Sequence, residues 1–144
     1  MIEGLFNRGA MQSVERLVQF TGERHRLLSH NIANLSTPHF RPRDVEPGEF
    51  QSALRQAQAD RRSSGTPHVG QLEMRDTRNM SFRRDGIDVR ARDSNRNILF
   101  HDRNNRDLER TMQDLAENTL AHNTGIELLK NQFEMLKLAI RERV

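Results

Sequence analysis

The stretch that decides the fold runs from Asp107 to Arg143: DLERTMQDLAENTLAHNTGIELLKNQFEMLKLAIRER. Within it Leu108, Met112, Leu115, Thr119, His122, Ile126, Leu129, Phe133, Leu136 and Ile140 alternate four and three apart. That spacing sets all ten on one stripe of a helix and repeats every seven residues, the pattern of coiled-coil packing. Such a helix is about 50 Å long at 1.5 Å per residue, more than a compact domain of this size requires. Acidic Asp107, Glu109 and Asp114 open it and basic Lys137, Arg141 and Arg143 close it, both in the sense that suits the helix dipole. Gly125 interrupts it at a cost of about 1 kcal/mol relative to Ala, off the main stripe. It permits either a bend or a close neighbour, and the spacing alone does not choose between them.

A partner stripe lies near the other end. Met11, Val14, Val18, Thr21, His25, Leu28, Ile32 and Leu35 also alternate three and four apart, with Leu17 and Leu27 thickening the pattern. This predicts a helix from about Met11 to Asn34, with Gly4 and Gly9 making the residues before it poor helix formers. Asn34 and Pro38 end it: Asn tolerates the left-handed conformation that closes a helix, and Pro cannot continue one. Pro42 and Pro47 keep the following segment extended, with Phe40 and Val45 as its anchors. Phe50, Ala53, Leu54 and Ala57 then predict a short amphipathic helix over about 49–60. The two stripes supply an assembly seam, whose apolar members are Val14, Val18, Leu28, Ile32, Leu115, Ile126, Leu129, Phe133, Leu136 and Ile140.

Composition limits what else the chain can be. Of 144 residues, 34% are hydrophobic and none is Trp or Tyr, below the roughly 45–50% apolar content of ordinary domains. A large private core is out of reach, so part of the stability is expected from neighbouring chains. There is no cysteine, hence no disulfide or thiol chemistry. No run approaches the roughly 18 apolar residues of a membrane span. The start, Met1-Ile-Glu-Gly-Leu-Phe-Asn-Arg8, lacks a charged segment followed by an apolar one, so any export is expected to follow a route that removes no such signal.

The net charge of +3 is unevenly spread. Residues 61–106 hold 11 basic and 6 acidic side chains, whereas 1–60 are balanced at 7 and 7 and 107–144 are acidic at 5 and 7. Arg61-Arg-Ser-Ser-Gly-Thr-Pro67 reads as a linker. Met80-Ser-Phe82 and Ile87-Asp-Val89-Arg-Ala91 alternate around Asp85-Gly86, which fits either a small hairpin or an arginine-rich disordered loop. Ile98-Leu-Phe100 is the compact apolar cluster before the long helix.

Chemistry-bearing patterns are sparse. His25 and His30 are five apart rather than the i, i+4 of a helical zinc pair, and no His-Glu-x-x-His occurs. Ser29, Ser36, Ser63 and Ser64 lack a nucleophile elbow, and no Gly-rich phosphate loop appears. Asp114 and Glu117 read as a solvated helix face. The expectation is no enzyme, no metal and no cofactor, with His25 and His122 as polar stripe residues that fix register. The rival class is a basic coiled-coil nucleic-acid-binding module, since eleven arginines in the middle could follow a phosphate backbone. Against it stand six interspersed acids and only Phe82 and Phe100 to stack on bases.

Two motifs carry a family resemblance. Ser29-His-Asn31-Ile32-Ala33-Asn34-Leu-Ser-Thr37-Pro38-His-Phe40 resembles the N-terminal signature of flagellar basal-body rod and hook proteins, in which Asn-Ile-Ala-Asn is followed by Thr-Pro and an aromatic. Asn104-Asn-Arg-Asp107-Leu-Glu109 is similar to the lead-in to that family's C-terminal helix. The likeness covers about 11–56 and 102–143, with His39 standing where the family commonly has a small residue. Arg43-Asp44, Phe50 to Leu54 and Thr66-Pro67-His68 are most similar to its proximal rod branch.

The resemblance implies a structural subunit of the proximal rod, exported unfolded through a flagellar type III apparatus and assembled in the periplasm, needed for motility. Its implied partners are other copies of itself, other rod proteins, and MS-ring or export-gate components at the rod base. No nucleic acid and no direct membrane insertion are expected. The implied fold is all-α, with the N- and C-terminal helices paired as an extended coiled-coil hairpin. A short third helix and a polar insert, partly disordered or a small β element, complete it. In segments, 1–60 holds the first helix, turn and short helix, 61–106 the insert, and 107–144 the long helix.

Overall fold

A computed structural model of the chain describes residues 8–63, 72–93 and 108–141. The chain is mostly helical. Helix α1 spans Arg8–Ala33, α2 Pro47–Ser63 and α3 Leu108–Arg141. Four short strands form two antiparallel ribbons: β1 (Arg43–Asp44) with β4 (Arg92–Asp93), and β2 (Met80–Phe82) with β3 (Ile87–Val89). The Ile98–Phe100 cluster, the Asn104–Asp107 lead-in, the Ser64–Pro67 part of the linker and the Thr66-Pro67-His68 motif lie outside the described residues.

α1 and α3 pack antiparallel. Val18 lies against Gly125 and Thr21 against His122, so facing residue numbers add to about 143. In that register Arg8 lies opposite about residue 135, and the last turns of α3 run past it. Spacing in the sequence set the length of α3 well, but not the face turned to α1. Only Asn118 and Gly125 are fully buried on α3. With half-buried Leu115, His122, Leu129, Gln132 and Leu136 they form a line rotated from the apolar stripe. The reason is steric. A Cβ on Gly125 would lie 2.7 Å from Val18 Cγ2, so the two backbones approach where only glycine fits. The close-approach reading of Gly125 is the correct one at this point, and the bulky residues are turned to the flanks.

The opposite face of α1 builds the apolar core. Phe20, Val45, Phe50, Met80 and Ile87 are buried together, with Leu17, Leu27, Leu54, Phe82 and Val89 around them. Phe20 and Phe50 stack with centroids 4.3 Å apart, and Phe82 tilts onto Phe50 at 6.5 Å. Such aromatic contacts add about 0.5–1.5 kcal/mol beyond the burial itself. Residues 80–89 are therefore a packed hairpin rather than a disordered loop: Met80 and Ile87 drive β2–β3 onto α1 and α2. The hairpin narrows at the Arg83 N–H donating to the Gly86 carbonyl at 2.9 Å, which puts Arg84 and Asp85 at its tip rather than Asp85-Gly86.

α2 begins two residues earlier than expected and runs three further, from Pro47 to Ser63. Proline is a breaker inside a helix but suits its first position, where its missing N–H has no intrahelical partner anyway. The Glu46 carbonyl accepts from the Glu49 N–H, and the Ser63 hydroxyl returns to the Asp60 carbonyl at the far end.

Candidate assembly surface

The Asn31-Ile-Ala-Asn34 motif joins the helix pair to the returning chain. Asn31 is buried, and its amide treats the backbone of Arg43 as a strand neighbour would: Nδ2 donates to the Arg43 carbonyl at 2.7 Å, and Oδ1 accepts from the Arg43 N–H at 3.0 Å. Asn34 closes α1, its side chain and backbone N–H both donating to the His30 carbonyl at 2.9 and 3.2 Å. Ile32 is half-buried, while Ala33, Thr37 and Pro38 are exposed. The turn then bonds Thr37 to Asn34 and Phe40 to Thr37 and passes through His39 at φ 59°, a left-handed backbone that glycine adopts more cheaply.

Beside this turn Arg24, buried on α1, forks onto Asp44 with Nε–Oδ1 at 3.0 Å and Nη2–Oδ2 at 2.8 Å. Its Nη2 also lies 3.6 Å from Asp114 on α3, so one guanidinium ties three segments. Burial pulls its pKa down, but the Asp44 hydrogen bond and the charges of Asp44, Asp114 and Glu117 outweigh that, and the net shift is upward. The cation is held at every accessible pH. On α2 the Glu49 carboxyl lies below its ordinary pKa because Thr77 and Asn79 hydrogen-bond it, with partial desolvation opposing.

Across the α1–α3 interface the bonds are polar. Asn118 donates to the Thr21 carbonyl at 2.8 Å, and the Thr21 hydroxyl meets His122 Nδ1 at 2.9 Å. A hydroxyl beside an imidazole is also how a nucleophile and its base are arranged. Here the Thr21 hydroxyl is buried and bonded to the Leu17 carbonyl, so the pair locks register rather than exposing a reactive oxygen. His25, expected on the same stripe, is exposed and does not share that role. Ser29 and His30 are exposed too. Among the described residues no three His, Asp or Glu side chains converge where a metal could sit, and no helix is long and apolar enough to cross a membrane.

The seam residues fall into two groups. Leu28 is buried, and Val14, Val18, Ile32, Leu115, Ile126, Leu129 and Leu136 are half-buried in or beside the helix pair. Phe133 and Ile140 are exposed. They belong to a larger set, since Leu108, Met112, Leu120, Leu128, Met135 and Leu138 are exposed on α3 as well. A monomer seldom leaves so much apolar surface together on one element without using it to bind.

The chain is similar to a flagellar rod protein. It is 26% identical over 135 residues to the flagellar basal body rod protein FlgB of Yersinia enterocolitica, an alignment covering 93% of this chain and 95% of that protein. No family model matches the chain. The similarity to FlgB is thus not confined to the two end motifs but runs through the middle of the chain. Sequence reasoning missed two features of that middle and its supports. Phe20 belongs to a second stripe, Leu17, Phe20, Arg24, Leu27 and Asn31, also spaced three and four apart, which was readable in principle. The β1–β4 ribbon, two residues a side, carries no comparable signal.

Proposed function

We propose that this chain is a non-enzymatic structural subunit of the bacterial flagellar basal-body rod, at its proximal end. The α1–α3 pair is its axial element, extended into a coiled coil when other copies and other rod proteins cover the outer faces of α3. The seam residues Val14, Val18, Leu28, Ile32, Leu115, Ile126, Leu129, Leu136, Phe133 and Ile140 divide that work, the half-buried ones holding the pair and Phe133 and Ile140 meeting neighbours. The Asn31-to-Pro38 motif fixes how the chain leaves α1. Export through the flagellar type III apparatus, a final place in the periplasmic rod against MS-ring or export-gate components, and a need for the subunit in motility belong to the same reading.

One observation carries it: an anchored helix exposes eight large apolar side chains, in a chain similar to FlgB over nearly its whole length. The nucleic-acid reading draws less support. Arg75 pairs with Asp60 at 3.2 Å and Arg83 with Asp88 at 2.8 Å, so two arginines of the basic middle answer acids of the same chain, as Arg41 and Arg43 ahead of it answer Asp93. The test is Phe133→Asp in the organism's own gene. Secretion is expected to persist while rod incorporation and swimming are lost. Normal motility with the altered subunit recovered in basal bodies would refute the proposal.

A further inference from the structure

Where α1 ends, a groove of about 850 Å³ opens between its exposed side and the turn that follows. Leu27 and Phe40 supply its apolar lining, and His30 tilts over Phe40 with ring centroids 5.6 Å apart. Its rim is cationic. Among the described residues Arg41 and Arg43 share a single carboxylate, Asp93, at 3.5 and 3.6 Å, two positive charges to one negative. Arg26 at the other side pairs with Glu23, one turn away on the same helix. An occupant should therefore combine an apolar side chain with flanking carboxylates.

One surface of this chain has that chemistry. Between Arg110 and Lys130 helix α3 contains Asp114, Glu117 and Glu127 and no Lys or Arg. Glu117 and Glu127 are exposed, and between them Leu120 is 71% exposed, the most open of the large apolar residues on the helix. The more C-terminal apolar patch fits less well, because Lys130, Lys137 and Arg141 would meet the arginines of the rim. We propose that the groove at the end of α1 receives the acidic segment of α3 around Leu120 from a second copy of this chain.

The proposal rests on the rod-subunit reading and specifies its lateral contact. Leu120 points away from α1 of its own chain, so one copy cannot fill its own groove. In the antiparallel register Leu120 lies opposite about residue 23, level with one edge of the groove. Joining two different surfaces is a heterologous contact, which propagates into rings or helical arrays rather than closed dimers.

The absence of native cysteine makes cross-linking a clean test. Full-length Arg41→Cys is mixed with full-length Leu120→Cys under mild oxidation, with Gln56→Cys replacing Arg41→Cys as the control. The expected result is a disulfide-linked dimer from the first mixture, at least about tenfold above the control. In parallel, Arg41→Glu should weaken self-association in sedimentation by about tenfold, and Glu117→Arg in the same chain should restore it. Self-association that persists without the Arg41–Leu120 cross-link overturns this contact and leaves the rod-subunit reading standing. A chain that stays monomeric at every concentration and gives no cross-link overturns both.

Discussion

Helices α1 and α3 share one interface and differ in everything beyond it. α1 is covered on two sides: Phe20, Thr21, Arg24, Leu28 and Asn31 are all buried, divided between the insert and the helix pair. α3 buries only Asn118 and Gly125 and leaves its large apolar residues open. The two sequences are comparably rich in heptad spacing, so the pattern alone does not decide whether a stripe is core or contact surface. What decides is how many other elements the chain brings back. Residues 43–45, 50–57 and 72–89 all return to α1, which makes it the centre of the fold and α3 the face presented to neighbours.

The strongest way to break this comparison is to truncate one large side chain in each region. Phe50→Ala removes a ring that is 1% exposed and stacked on Phe20, and should cost about 3–5 kcal/mol in denaturant unfolding. Leu138→Ala, 58% exposed on α3, should change the monomer's stability by less than about 0.5 kcal/mol while reducing self-association in sedimentation. Equal losses of monomer stability would mean that α3 is as much a part of the monomer's core as α1.

A second test sharpens what the shared interface is. In an exposed helix Gly→Ala stabilises by about 1 kcal/mol. At Gly125 the added methyl would meet Val18 Cγ2, the short branch of a stiff side chain, so the helices must separate. Gly125→Ala should therefore destabilise by about 1–2 kcal/mol, and Val18→Ala in the same chain should recover most of the loss. Stabilisation by Gly125→Ala alone would show that the helices do not depend on that close approach.

Much of this was legible in the sequence, and the failures have physical causes. Heptad spacing located α1 and α3 because three- and four-residue periodicity survives whichever partner covers the stripe. It missed the interface face because hydropathy weighs bulk, whereas close backbone approach selected Gly125 and the hydrogen-bonding Asn118. The hairpin's strands were read from alternation around Met80 and Ile87, yet the Arg-rich composition also allowed a disordered loop. Two buried apolar residues outweigh that polarity once α1 and α2 offer Phe20 and Phe50 as a floor. Asn34 reads locally as a helix end, and Asn31 only as part of the motif beside it. Only the fold reveals that Asn31 reaches twelve residues ahead to hold Arg43, a long-range bond invisible to local propensity.

The smallest effect concerns how firmly the insert is held to α2, and its sign follows from Glu49. Hydrogen bonds from Thr77 and Asn79 keep this carboxyl below its ordinary pKa, so folding favours the ionised form. The contribution is fully present above the unfolded value, about 4.3, and is lost as the pH falls through the lower folded value. Because the carboxylate is partly open to solvent, it is worth only about 0.5 kcal/mol. Glu49→Gln should therefore lower stability slightly at pH 7 and flatten the acid limb of the stability curve. Arg24 supplies no such dependence of its own, since its shift is upward and it stays charged throughout. If the acid limb keeps its slope in Glu49→Gln, the bond between α2 and the loop ahead of β2 carries no stability, and the insert is held by its apolar contacts and its hydrogen bonds to Arg16 and Gln12 of α1.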